Sequence, residues 1–299
     1  PAGPRRSVPE LQHRGGRESF PNAPTAGLPL APVPRHRSRH NPRSPAVNRF
    51  TRGRPSTLSG SSSGGGRWLR SASRKKVSGR VSGFYQRTEF GAWAFVGGLS
   101  LAFKPLSSLT VSLGSDWNRT HSTAHWVAVI DDATAAQGRR HVFSGMEQRE
   151  LVMTARINWI LSPKMSVQVY AQPLISVGDY DGFKELGRPR AFEFQRYGTD
   201  VGTIAYDPAA ERFDVDPDAG GPAEPFSFGN PDFNFKSLRI NAIFRWEYRP
   251  GSTLYVAWTQ QRQDSADPAN FELGRDADHL LGAPADDVFL IKLAYRFGK

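Results

Sequence analysis

The sequence predicts an all-β protein: an antiparallel transmembrane β-barrel, or a fragment of one, with about eight strands, preceded by a disordered basic leader. Three observations carry that expectation. From Val77 onward, short segments alternate apolar and polar residues with the side-chain period of a strand. Tight proline-containing turns take turns with long polar connections, the asymmetry of outer-membrane barrels. The last segment sets Phe289, Ile291, Leu293, Tyr295 and Phe297 on one face against Lys292, Ala294 and Arg296 on the other.

The leader differs sharply from the rest. Residues 1–76 carry 16 Lys and Arg with only Glu10 and Glu18, a net charge of +14; residues 77–299 hold 23 basic and 26 acidic residues. The basic pI therefore belongs to the leader. Eleven of the 23 prolines lie there, with the Ser59–Gly66 run, and apolar residues are too sparse to offset chain entropy. Disorder is the expectation for 1–76, as a linker or as a reading frame upstream of the true coding segment. A phosphate-neutralising arm is the rival reading of its arginines. No aromatic interleaving or RNA-binding signature accompanies them, so no nucleic acid is expected as a partner.

The first strand is expected over Val77–Arg87, weakened by Gly79 and Gly83, and the second over Ala92–Phe103. Trp93, Phe95, Leu99, Leu101 and Phe103 share one face of that second strand; small residues fill the other. Pro105 marks a turn into Leu109, Val111 and Leu113. After a long polar connection, Leu151–Trp159 alternates again, and Ser162-Pro163-Lys164 turns the chain into Met165–Gln172. A second, longer connection leads to Arg239–Tyr248, then an Arg249-Pro250-Gly251-Ser252 turn into Thr253–Gln261. A third connection precedes the last strand, near Val288. Trp93 to Phe103 spans about 33 Å of strand, or roughly 25 Å of height at a barrel tilt, the thickness of a lipid-facing band. A soluble β domain with the same faces turned onto a core is the alternative. No run of 18 apolar residues exists, which excludes an ordinary membrane helix and leaves strands untouched.

Several segments also resemble a family. They are Val129-Ile130-Asp131-Asp132-Ala133-Thr134, Gly138-Arg139-Arg140-His141-Val142-Phe143, Tyr170-Ala171-Gln172-Pro173, Gly178-Asp179-Tyr180 and Phe183-Lys184-Glu185-Leu186. The most distinctive is Asn230-Pro231-Asp232-Phe233-Asn234-Phe235-Lys236-Ser237-Leu238-Arg239, continued by Arg245-Trp246-Glu247-Tyr248-Arg249-Pro250-Gly251-Ser252. Over roughly residues 85–299 the chain resembles the bacterial outer-membrane barrels called domain of unknown function 5916. The resemblance implies a barrel of more strands, preceded in full-length members by a carbohydrate-binding-module-9-like sandwich. This chain would then be the C-terminal part, associated with carbohydrate only through that module. The family offers no catalytic residue to transfer.

Candidate sites are few. Without cysteine there is no thiol nucleophile and no disulfide. Asp214, Asp216 and Asp218 have the alternate spacing of a calcium loop, but the glycine comes one position late and Pro225 stands where the last ligand belongs, so an acidic turn is favoured. His121, His125 and His141 lie in the first long connection; in extended chain, residues four apart sit about 13 Å apart, too far to share a metal. The inward faces carry Arg156, Arg239, Arg245, Lys292 and Arg296 beside Asp116 and Glu247. Such charges set selectivity in an open lumen or pair across and fill a closed one; a plugged or incomplete lumen is favoured. No cofactor and no catalytic group is expected.

The functional expectation is an integral protein of the bacterial outer membrane, contacting lipid and the barrel-assembly machinery, that binds or passes polysaccharide-derived solutes. Leu293, Tyr295 and Phe297 are its expected assembly signal. The rivals are an outer-membrane barrel hydrolase, which needs a converged His/Asp/Ser group at one rim, and a soluble β protein with a nucleic-acid arm.

Overall fold

Every one of the eight alternating segments is a strand, and the three proline turns are the tight reversals between them. In the computed structural model, residues 62–71, 76–135, 138–188, 191–266 and 268–297 are described. They form β1 (Ser62–Arg70), β2 (Val77–Thr88), β3 (Trp93–Leu106), β4 (Leu109–Asp131), β5 (Arg139–Ser162), β6 (Met165–Leu186), β7 (Phe194–Arg196), β8 (Thr203–Asp207), β9 (Arg212–Asp216), β10 (Phe226–Gly229), β11 (Phe233–Arg249), β12 (Ser252–Asp264), α1 (Leu273–Gly282) and β13 (Ala285–Ala294).

The main sheet is antiparallel in the order β1-β2-β3-β4-β5-β6-β11-β12-β13, with β7 on β6; β8, β9 and β10 form a second, three-stranded sheet. Among the described residues β1 and β13 stay unpaired edges, so the sheet is open and no closed barrel is present. Sequential hairpins always leave two edges unless the first and last strands meet.

The register settles which side chains share a face. One row runs Val77, Phe103, Val111, Ile157, Val169, Ala242, Trp258, Phe289 across eight strands. The neighbouring row, on the opposite face, runs Ser78, Ala102, Ser112, Arg156, Tyr170, Asn241, Thr259, Val288. Slipping any one strand by a residue would mix the two rows. The Pro-Gly reversal holds because Gly251 takes φ 77°, a conformation an L side chain resists.

Four expectations about extent need correction. The first long connection is mostly strand: β4 and β5 stay paired up to Asp131 and Arg139, and register shifts at Ser122/His125 and Trp126/Ala128 break the alternation that would have revealed them. The second holds the far half of β6, β7, the small sheet and the start of β11, and the third holds α1. Ser62–Arg70, assigned to the leader, pairs along β2 as β1; its Gly64-Gly65-Gly66 carries no alternation to read. Residues 1–61 and 72–75 of the leader lie outside the described residues.

The far end of the long strands has a core. Val142, Phe183, Tyr197 and Val215 are buried there, with Phe213, Phe226 and Phe228 of the small sheet packed against them. Phe183 lies 4.4 Å from the Phe213 ring and 5.0 Å from that of Phe228.

Candidate functional site

The polar face of the sheet carries a hollow of about 440 Å³ spanning five successive strands. The hollow arises where long arginine side chains stand around small residues on that face. Its floor is small and hydroxylated: Ser78 on β2, Ser100 and Ala102 on β3, Ser112 and Gly114 on β4, Thr154 on β5. Arg70 and Arg80 stand on one side and Arg156 on the other. Arg70 and Arg80 are direct cross-strand partners, a placement in which like charges repel. Arg80 lies over the Trp68 ring at 5.9 Å and Arg156 over the Tyr170 ring at 5.3 Å. Among the described residues none of the three guanidinium groups pairs with a carboxylate.

Of the charges expected on this face, Arg156 enters the hollow, whereas Arg245 is held by Glu247 at 3.4 Å on its own strand. Arg70 and Arg80 escaped sequence reasoning. Arg70 fell within the composition-defined leader, and Arg80 sits in a strand whose alternation Gly79 and Gly83 dilute.

At the far end, two networks use residues of the segments that suggested the family. Arg140 donates Nε to Asp132 Oδ2 at 2.5 Å and Nη1 to Glu185 Oε2 at 2.7 Å, and the Tyr197 hydroxyl donates to Glu185 at 2.9 Å. The Asp132 side chain is only 6% exposed. Hydrogen bonds from Thr134 and Arg140 hold its carboxyl down at about 2. Burial and the adjoining Glu185 push the Tyr197 hydroxyl up. These groups tie the β4–β5 tip to β6 and to the segment carrying the small sheet.

The second network docks α1. Lys236, fully buried, reaches Asp264 at 2.8 Å and donates to Asn234 Oδ1 at 3.3 Å; Asn234 donates to Asp276 Oδ1 at 3.1 Å. Asp276, also buried, accepts from the Glu272 N–H and from Arg275. An N-terminal acceptor thus comes from within the first turn of the helix, since the Glu272 side chain does not cap.

The remaining candidates are dispersed. Asp214 pairs with Arg212 at 3.1 Å, Asp216 accepts from the Asp218 N–H, and Asp218 accepts from the Gly221 and Ala223 N–H groups. Each carboxylate has its own structural task. His121 lies 3.8 Å from Glu147, His125 packs edge-on against Tyr180, and His141 pairs across the ladder with Val129. No group of three metal-ligating side chains occurs among the described residues. Near the end, β13 stops at Ala294. Beyond it the Arg296 N–H donates to Ser252 Oγ, and Tyr295 and Phe297 stack edge-on at 4.7 Å, with Phe297 89% exposed.

No curated protein and no solved structure matches this chain. Residues 52–297 match the family described as Domain of unknown function (DUF5916). That match starts ahead of β1 and runs through β13, and it includes the residues of both buried networks and of the hollow. The chain belongs to this family.

Proposed function

We propose that the β-sheet is part of a bacterial outer-membrane barrel, its apolar face against lipid and its polar face lining a passage that binds or passes polysaccharide-derived solutes. The observation that carries this reading is the exposed apolar row. Phe103, Leu113, Trp159, Trp246, Phe289 and Ile291 all lie on that one face, 41–71% exposed. Soluble monomers rarely expose apolar patches beyond a few hundred Å². A bilayer is the solvent for which such a face is suited, and strands meet its demand that backbone groups pair internally. The three proline turns lie at one end of the strands and the packed small sheet at the other, as in barrels with short periplasmic turns and larger external loops. Among the described residues no helix is long and apolar enough to cross a membrane, which bears only on helices. Leu293, Tyr295 and Phe297 on the closing edge fit a segment read by the barrel-assembly machinery.

Fractionation tests the reading. The chain, expressed with an export signal, should sediment with outer membranes and require detergent for extraction. Recovery of a detergent-free soluble monomer would overturn it.

A further inference from the structure

We propose that the hollow on the polar face is a binding site for acidic sugars, hydroxylated carboxylates such as uronic acids; this deepens the solute-binding reading above and rests on it. The register gives the site its dimensions. From Ser78 on β2 to Arg156 on β5 there are three strand spacings, about 14 Å, and the intervening Ala102 and Ser112 are small. The adjoining row on the same face passes from Arg70 and Arg80 through Ser100 and Gly114 to Thr154. A trough floored by small residues therefore lies between two guanidinium-bearing walls.

The chemistry of the walls selects the ligand. A guanidinium fork matches a carboxylate with two parallel hydrogen bonds. Arg70 and Arg80 are set directly opposite each other, and no carboxylate of the described residues relieves their repulsion. A bound anion would relieve it. Arg156 supplies positive charge from the far wall. Hydroxyls of Ser100, Ser112 and Thr154 on the floor both donate and accept, which suits sugar hydroxyls. One pleat beyond Gly114 on the same face, Asp116 adds a pure acceptor. That carboxylate disfavours a bare inorganic anion and favours one that carries hydroxyl donors. The Trp68 and Tyr170 rings beneath Arg80 and Arg156 fix where the guanidinium planes stand.

The test uses the full chain in detergent micelles, with binding read by calorimetry at low ionic strength. Trigalacturonate is the acidic sugar, maltotriose its neutral counterpart, and sodium sulfate the bare anion. The expected result is that trigalacturonate binds at least tenfold more tightly than either of the others. Arg80→Gln and Arg156→Gln should each weaken it by about tenfold, with Arg80→Lys recovering part of the loss; circular dichroism confirms that the sheet persists in each variant. Equal affinity for maltotriose and trigalacturonate overturns the proposal, as does sulfate binding as well as trigalacturonate. So does unchanged trigalacturonate binding in both Gln variants. Failure here differs visibly from failure of the membrane reading. A chain soluble without detergent that still prefers trigalacturonate contradicts only the latter, and a membrane-embedded chain indifferent to charge contradicts only the former.

Discussion

Between Val77 and Phe103 the outward side chains Val81, Leu99 and Leu101 are about half exposed, whereas at the far end of the long strands Val142, Phe183 and Val215 are 0, 7 and 2% exposed. The same chain thus treats apolar residues in two ways. Around the proline turns they form a continuous outer face with none of the described residues over it. At the other end a small sheet and buried ion pairs cover them, as in a water-soluble domain. The difference teaches that the alternation of a strand reports only that its two faces see different surroundings. Whether the apolar face meets a core or a foreign solvent is decided by what the connections bring back over it. Short turns bring nothing, and the long connection after β6 brings a sheet.

The largest expected effect probes the covered end. Phe183→Ala should cost about 3–5 kcal/mol in unfolding free energy, the usual loss for a core aromatic; a cost below about 1 kcal/mol would show that the small sheet does not seal that core. Next comes the dock of α1. Asp264→Ala removes an anion from the fully buried Lys236 and should cost roughly 3 kcal/mol, while Asp264→Ala combined with Lys236→Met, which removes both charges, should recover most of that loss. Denaturant titration of the two variants reads that contrast, and equal losses would contradict it.

The uncovered face gives a smaller effect with a sharper meaning. Leu113→Arg should cost about 2–4 kcal/mol in lipid if that row lies near the bilayer midplane. On a face that meets water the same change should stay within about 0.5 kcal/mol. Reversible folding into vesicles measures it.

Acid should act on the covered end through Asp132. The Asp132 carboxyl titrates lower in the folded chain, at about 2, than the ordinary 3.8. Its contribution is therefore complete above about pH 4 and is lost as pH falls towards about 2. Proteolysis at the β4–β5 tip should increase over that window in the parent, and Asp132→Asn should flatten the dependence. The smallest effect on stability is expected at Phe297→Asp, about 0–1 kcal/mol for a charge near the interface. A severe loss of membrane insertion in that variant would identify the closing segment as a recognition signal; normal insertion would leave Phe297 a surface residue.

Much of the uncovered region was legible because its side chains obey one rule. Eight strands, three proline turns and the common face of Phe103, Val111 and Ile157 all follow from alternation and the missing N–H of proline. The covered region obeys several rules at once. Bulges in β4 interrupt the period, Phe226–Gly229 is too short to show one, and Leu273–Gly282 opens without a side-chain cap on its own N-cap residue. Lys236 lies ahead of the strand expected at Arg239–Tyr248 and nothing local marks it as buried; its partner Asp264 arrives from 28 residues further along the chain, and Asp276, reached through Asn234, from 40. The hollow was half legible. Arg156 stands on a clear polar face, but no local pattern links it to Arg70, which only the pairing of four further strands brings to the same trough.

The chain contains no cysteine, so single cysteines can be placed and spin-labelled without background. Labels at positions 99 through 103 of β3, with the protein reconstituted in lipid vesicles, measure the surroundings of both faces directly. We expect collision with lipid-soluble oxygen to peak at 99, 101 and 103 and collision with a water-soluble nickel complex to peak at 100 and 102, the two patterns exactly out of phase. Patterns in phase, or nickel access at 99, 101 and 103, would contradict the claim that the apolar face of this sheet is turned to the membrane.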